Sequence, residues 1–546
     1  MGQTSLCGIL YTLNEPGGDM ARVLVSDPVA AEGVAILRRA GFDVDVRTGL
    51  SPDELKTIIG LYDALAVRSE TKVTAEVLDA AGKLKIIGRA GVGVDNIDVL
   101  KATELGVLVV NSPEGNTIAA AELTVTVMLA MARNVPQAHA SMKSGEWARS
   151  RFVGIEVFGK TVGVIGLGKI GREVAKRLLG MQMRVVAYDP FLSNDQAAAL
   201  GIKLVDLDTL YADSDFITVH VPKLKETAGM IGTEAFQKMK VGVRLVNVAR
   251  GGIIQEDALL SALLSGKVAG AALDVWEIEP VDPMHPLVQH PNVLATPHLG
   301  ASTEEAQVGV AVDIAEQIVE VLTGGSAHSA VNMPSLDPDV LQKTAPWIRL
   351  AEKMGSLQAQ LAKGSIRRVD VGFAGEFDRR QTVHITRALL KGMLQQALSD
   401  SVNYVNAPIL ATSRGIRVSE STCDTVAEWG KTLTLVATDD NGEHVHTGTI
   451  FGTSDPHIVV LDGYSMDFRP DGFHVMVRNH DRPGMVGKIG SILGEAGVNI
   501  AGMYLGRELK QGTAVMALSL DGPVSDAAMI SIRSVEGTLS ARLVEL

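Results

Sequence analysis

The sequence predicts an α/β protein of two doubly wound parallel-sheet lobes followed by two smaller α+β units, and three observations predict it. From Arg22 to about Gly300, short apolar runs alternate with amphipathic helical runs, the order that builds βαβ units and parallel sheets. A glycine-rich turn, GLGKIG (Gly166 to Gly171), lies in the middle of that alternation and not at its start. Beyond Val331 the strands shorten and no glycine fingerprint recurs, and the last segment reads strand, helix, strand, strand, helix, strand.

In order, the first lobe runs through strand RVLVSD, helix VAAEGVAILRRAG, strand DVDVRT, helix SPDELKTIIG, strand DALAVRS, helix TAEVLDAA, strand LKIIGRAG and strand VLVVN. After Pro113 an Ala-rich apolar helix from Thr117 to Arg133 reads as a connection between lobes. The second lobe takes its strands from TVGVI, FITVHVP, VRLVNVARGG, AGAALDVWE and VLATPHLG. A helix, EEAQVGVAVDIAEQIVEVL, then stops at Gly324 and Gly325, residues suited to a C-cap. Two sheets separated by one helix, with another helix afterwards, imply that the second lobe is inserted into the first and that a cleft lies between them. The expected division is 1–20 as a disordered leader or upstream start, 21–118 as the first lobe, 119–303 as the inserted lobe and 304–331 as the return helix. Residues 332–470 follow as an intervening α+β unit, and 471–546 as a ferredoxin-like βαββαβ unit.

Composition removes several function classes. A formal net charge of −13 argues against nucleic-acid and anionic-membrane partners, which need clustered Lys and Arg. Cys7 and Cys423 are the only cysteines, so there is no disulfide framework or thiolate metal site, and a reducing, cytoplasmic setting is expected. No apolar run is long enough to span a bilayer, and residues 1–19 lack the Lys or Arg of an ordinary targeting peptide.

The GLGKIG turn has the context of a dinucleotide site. Gly166 suits a tight turn, Gly168 lets a pyrophosphate approach the backbone, and Gly171 lets helix and strand pack closely. Asp189, 18 residues beyond Gly171 at a strand end, is placed to accept ribose hydroxyls and repel a 2′-phosphate, favouring NAD over NADP. Three more residues sit at strand ends of the same lobe: Arg250 in VNVARGG, Glu279 in DVWEIEP and His298 in TPHLGAST. An Arg binds a carboxylate bidentately, a His exchanges a hydroxyl proton, and a Glu on the other imidazole nitrogen favours the cation. Taken singly, each has a bland alternative as a salt bridge, a helix cap or a surface His.

With these motifs on the page, the chain resembles the D-2-hydroxyacid dehydrogenase family, whose Rossmann-type NAD domain is inserted into a flavodoxin-like substrate domain. The resemblance implies that Arg250, Glu279 and His298 are catalytic, with Glu277 a lesser rival because Ile278 splits the acidic pair. It adds Lys169, Ile170, Ala249, Asp274 and Gly300 to the cofactor set. Within the family it is closest to the long-form branch that oxidises 3-phosphoglycerate, a homotetramer with an ACT domain sensing L-serine. Arg68 in VRSETKV and Arg89 in GRAGVGVDNID are then substrate-phosphate anchors, and Arg149 in GEWARSR reaches a neighbouring subunit's cleft. Asp481 and Asn499 are effector ligands. Val92 and Val221 stand where relatives carry polar residues. Arg367, Arg368, Arg379 and Arg380 are expected on a solvated face. Two alternatives remain: a dehydrogenase for glycerate, glyoxylate or lactate, and a non-catalytic regulator that binds NAD as a sensor.

Overall fold

A computed structural model describes residues 20–336, 338–398, 402–425, 429–507 and 512–546. Apart from Met20, the leader expected at 1–20 lies outside the described residues. The first lobe is a parallel sheet of β1 (Arg22–Val25), β2 (Asp43–Val46), β3 (Ala64–Val67), β4 (Ile86–Arg89) and β5 (Leu108–Asn111), in the order β2-β1-β3-β4-β5. Its exposed edge at β5 is covered by the chain returning after the second lobe. Ala330 bridges Val110 antiparallel, Val331 N donates to Val109 O at 2.7 Å, and Asn332 Oδ1 accepts from Val109 N at 2.9 Å. A covered edge cannot recruit a foreign strand.

The second lobe is also parallel: β6 (Thr161–Ile165), β7 (Arg184–Tyr188), β8 (Lys203–Leu204), β9 (Phe216–Val219), β10 (Val243–Asn247), β11 (Val268–Leu273) and β12 (Val293–Ala295), in the order β12-β11-β10-β9-β6-β7-β8. The order reverses beside β6, so a crevice opens at the carboxyl ends of β6 and β9, where such folds hold their ligands. Helix Thr117–Ala132 enters this lobe and helix Glu304–Leu322 leaves it. The exit helix stops where Gly325 N donates to Glu320 O and Gly324 N to Val321 O, with Gly324 left-handed at φ 90°. It packs so tightly on helix Ala31–Arg39 that a Cβ on Gly33 would lie 2.6 Å from Ala311 O.

The intervening unit is a mixed sheet of β13 (Arg368–Ala374), β14 (Arg417–Cys423), β15 (Thr432–Asp439), β16 (Gly442–Phe451), β17 (Asp455–Leu461) and β18 (Tyr464–Phe468), ordered β14-β13-β15-β16-β17-β18. Only β13 and β14 run parallel. The final unit is antiparallel: β19 (Phe473–His480), β20 (Ile500–Arg507), β21 (Thr513–Leu520) and β22 (Thr538–Glu545), ordered β20-β21-β19-β22. Two short helices, Met485–Glu495 and Asp526–Ser534, cover one of its faces.

Burial divides the molecule differently from the sheets. The inserted lobe keeps two cores of its own, one on each side of its sheet. One continuous core, by contrast, joins Val23 and Ile86 of the first lobe to Ile348, Leu357 and Phe373 of the intervening unit and to Met476 and Val544 of the last. Among the described residues no single helix is long and apolar enough to cross a membrane.

Candidate active site

The three glycines of the turn after β6 have three separate tasks. Gly166 is left-handed at φ 92°, and a Cβ there would lie 2.7 Å from His220 O and 2.8 Å from the Val221 methyl. Gly171 presses on Gly166 O, so any side chain would drive the helix off the strand. Gly168 is the N-cap of helix Lys169–Gly180, and nothing lies within 4 Å of where its Cβ would be. The result is an open cradle of backbone N–H groups at a helix N-terminus, which suits a pyrophosphate.

Asp189 follows β7 at the rim of this cradle, accepting from Leu167 N at 2.8 Å and Phe191 N at 2.9 Å. Lys169 at the first helical position reaches across the cleft to Glu114 Oε1 at 2.6 Å. Ile170 packs into the lobe's core. Val221 packs beneath the turn, and Val92 O accepts from Asn111 Nδ2 at 2.5 Å. These features fit a dinucleotide at the positions the sequence picked out.

The loops after β10, β11 and β12 bring Arg250, Glu279 and His298 to the same crevice. His298 Nδ1 and Glu279 Oε2 are 2.7 Å apart, and Glu279 Oε1 accepts from Trp276 N at 3.0 Å. Burial raises the Glu279 carboxyl, but the His298 and Trp276 hydrogen bonds and the fields of His298 and Arg250 outweigh it, so the group titrates below its ordinary range. It is an anion at neutral pH, fit to hold an imidazolium. Glu277 turns away: its N–H donates to Glu256 Oε1 at 2.7 Å, and it does not touch His298 among the described contacts. Ile278 is 79 % exposed.

His298 adopts a left-handed φ of 55°, held by its own N–H to Asp274 O at 2.8 Å. Asp274 is 1 % exposed, and both its oxygens are committed: Oδ1 accepts from Thr296 Oγ1 at 2.6 Å and Leu299 N at 2.7 Å, and Oδ2 from Gly300 N at 2.9 Å. Asp274 and Gly300 thus shape the His298 loop. Asn247, which sequence reading passed over, does the same for the Arg250 loop. Its Oδ1 accepts from Ala249 N at 3.0 Å and its Nδ2 donates to Arg250 O at 2.9 Å.

Opposite this set, the first lobe presents Arg68 after β3 and Arg89 at the end of β4. Burial and the facing guanidiniums of Arg250 and Arg68 push Arg89 down to about 10. It remains a cation at neutral pH, with the guanidiniums of Arg250 and Arg68 and the carboxylates of Asp95 and Asp27 close enough to act on it. Asn96, 8 % exposed, ties the two strand ends together. It donates to Arg68 O and Thr71 O, each at 2.8 Å, and accepts from Arg89 Nε at 3.3 Å. Asp27, 1 % exposed, accepts from Arg68 N at 2.6 Å and Thr71 N at 3.0 Å. Neither residue was singled out from sequence, although Asp27 ends the first strand and Asn96 follows the glycine loop.

Arg149 is exposed in a 3-10 turn, Arg149–Phe152, beside Trp147 and Val153, each 81 % exposed. In the last unit, register separates the two expected effector ligands. Asp481 follows His480, which pairs with Thr513, whereas Asn499 precedes Ile500, which pairs with Leu520. They therefore sit at opposite ends of the sheet, roughly 25 Å apart along an eight-residue strand, and one chain does not bring them together. Asp481 is paired with Arg507, and Asn499 donates to Asp521 at 2.7 Å. In the intervening unit Arg367, Arg368 and Arg380 each pair with an aspartate while at least half exposed, and Arg379 is exposed.

Residues 125–300 match the NAD binding domain of the D-isomer specific 2-hydroxyacid dehydrogenases. Residues 343–462 match the D-3-phosphoglycerate dehydrogenase intervening domain, and 474–537 the ACT domain. The chain is 49 % identical over 528 residues to a D-3-phosphoglycerate dehydrogenase of Synechocystis, covering 96 % of this chain and 95 % of the relative. It is 46 % identical to one from Archaeoglobus fulgidus, covering 96 % and 100 %. Among solved structures, the TT0316 protein of Thermus thermophilus aligns with a TM-score of 0.54 at 35 % identity, over 57 % of this chain and 99 % of that one. A glyoxylate reductase from Paecilomyes thermophila aligns with a TM-score of 0.54 at 29 % identity, over 57 % and 99 %.

Proposed function

Because the chain belongs to the D-3-phosphoglycerate dehydrogenases, within the NAD-dependent D-isomer specific 2-hydroxyacid dehydrogenases, we propose that it oxidises D-3-phosphoglycerate to 3-phosphohydroxypyruvate, the step that opens L-serine synthesis. The observation that carries this reading is that Arg68 and Arg89 of the first lobe stand across the cleft from Arg250 and the His298–Glu279 pair of the inserted lobe. A 2-hydroxy acid needs one cation for its carboxylate. A phosphate ester needs more, and here they stand on the first lobe.

In this reading Arg250 binds the carboxylate by two parallel hydrogen bonds, and Arg68 and Arg89 hold the phosphate. His298 Nε2 faces the C2 hydroxyl and takes its proton, while Glu279 fixes the ring through Nδ1 and stabilises the resulting imidazolium. The cradle at Gly168, with Lys169, Ala249 and Asp189, holds NAD, which supplies the hydride acceptor. NADH formation from D-3-phosphoglycerate at alkaline pH tests the reading. A protein that binds NADH yet turns over no 2-hydroxy acid would instead be a nucleotide sensor.

Regulation by L-serine follows from the same reading. With Asp481 and Asn499 at opposite ends of one sheet, a shared effector requires Asp481 of one copy beside Asn499 of another, and Arg507 must yield Asp481 to the ammonium. Exposed Trp147, Val153 and Phe158 around Arg149 support a second contact between copies, consistent with a homotetramer. In the full-length protein, Asp481→Ala and Asn499→Ala should each abolish serine binding in calorimetry and leave the uninhibited rate unchanged.

A further inference from the structure

Among the acids near the three guanidiniums at the cleft, Asp95 is the one whose side chain pairs with Arg250 across the lobes, and that contact assigns it a task. Asp95 belongs to the first lobe, yet its Oδ2 accepts from Arg250 Nε of the inserted lobe at 3.1 Å. The Arg250 side chain is 28 % exposed and that of Asp95 67 %. The loop carrying Asp95 is tied on both flanks. Val92 O accepts from Asn111 Nδ2, Ile97 N donates to Val94 O at 2.9 Å, and Asp98 N donates to Val73 O at 2.9 Å. Asp98 then caps helix Val99–Glu104 by accepting from Lys101 N at 3.0 Å. The loop backbone that carries Asp95 is therefore fixed on both sides of it.

Gly93 gives the second half of the geometry. A Cβ at this position would collide with Arg250 Nη2 and lie 2.8 Å from Asp95 Oδ2, so the backbone itself forms the floor under the guanidinium. On its own lobe, Arg250 Nη1 donates to Ala249 O at 2.7 Å. Of the five N–H donors of an arginine, Nε and one on Nη1 are thereby used. Of the donors left, one on Nη2 lies beside Nε on the side-on edge, and the other on Nη2 faces the outer, end-on edge of the fork together with Nη1.

We infer that Asp95 is a positioning residue for Arg250: by holding Nε from across the cleft, it turns the end-on edge of the guanidinium toward the substrate carboxylate when the lobes meet. This rests on the reading that Arg250 binds that carboxylate. It explains why an acid is retained in a site built for an anion. Asp95 sits on the Nε side, away from the donors the substrate takes, and its charge also offsets the mutual repulsion of Arg89 and Arg250. Because the bond spans the lobes, Arg250 is aimed only in the closed cleft.

The test is steady-state kinetics of full-length Asp95→Ala and Asp95→Asn with D-3-phosphoglycerate, together with NADH affinity by fluorescence. Loss of one partly exposed charge-assisted hydrogen bond predicts a KM about tenfold higher in Asp95→Ala. NADH affinity should be unchanged and kcat within about a factor of two, because the proton-transfer pair is untouched. Asp95→Asn, whose amide oxygen still accepts from Nε, should keep KM within about threefold of wild type. An unchanged KM in Asp95→Ala overturns the inference. So does a lowered KM, which would make Asp95 only a repulsive charge, and so does equal damage from Asn and Ala. A wild-type protein with no activity would instead overturn the proposed reaction.

Discussion

The inserted lobe and the remainder of the molecule are built on opposite plans. The inserted lobe buries its apolar residues in two private cores, and its cleft contacts with the first lobe are polar and partly exposed, such as Lys169–Glu114 and Arg250–Asp95. Exposed ion pairs of this kind contribute about 0 to 1 kcal/mol each. The first lobe and the final unit each keep one core of their own, but a further core runs through the first lobe, intervening unit and final unit, and separating them would expose large apolar surface. Polar ties reinforce the join: Asn403 Nδ2 donates to Gly106 O at 2.8 Å, and Arg542 Nη1 to Gln360 O at 2.8 Å. The lesson is a division of labour. In the proposed reading, the lobe with the nucleotide cradle and the proton-transfer pair meets the body across the cleft through polar contacts, whereas the proposed phosphate anchors stand on the body whose core continues into the last unit.

The contrast is broken most severely by disabling the inserted lobe's chemistry alone. His298→Ala should lower kcat by about 10² to 10⁴ while NADH affinity stays at its wild-type value. A loss of NADH binding would show that His298 supports the fold of the cradle instead. A smaller effect sharpens the same contrast energetically. Leu357, fully buried in the shared core, should cost about 2 to 5 kcal/mol on truncation to Ala. Calorimetry should show the body's transition lowered and the NAD-stabilised transition of the inserted lobe unmoved. If both shift together, the two regions do not unfold as separate units.

The smallest effect is a shift along the pH axis. The Glu279 carboxyl lies below its ordinary range, so it is ionised throughout the working range and stabilises protonated His298. Glu279→Gln removes that charge, and the alkaline limb of the reductive rate should move to lower pH, where the proton donor is still present. The Glu279 contribution to stability is present above the unfolded-state pKa and is lost as pH falls through the lower folded value. An unmoved alkaline limb would separate Glu279 from the proton transfer.

Much of this was legible in the sequence because it is local. The alternation of strands and helices, the GLGKIG turn and the residues at strand ends each follow from short-range pattern, and the sheet orders realise the predicted inserted arrangement. What stayed hidden depends on residues far apart in the chain. Asp95, Asn96 and Asn247 act through contacts that no periodicity announces. Glu279 was preferred to Glu277 from its motif, and it is Glu279 that stands against His298 while Glu277 turns to Glu256. The separation of Asp481 from Asn499 comes from antiparallel register, and the shared core comes from docking that no single segment encodes.

The central claim, that the body grips a phosphate while the lobe performs the oxidation, is tested most directly by kcat/KM for D-3-phosphoglycerate and D-glycerate in the wild type and in Arg68→Ala/Arg89→Ala. Two charge-assisted hydrogen bonds at about 1.5 to 3 kcal/mol each predict a wild-type preference of several hundred-fold or more for the phosphate ester. The double variant should lose most of that preference while keeping its rate on glycerate. Comparable kcat/KM for the two acids in the wild type would contradict the account and place the enzyme among dehydrogenases of unphosphorylated 2-hydroxy acids.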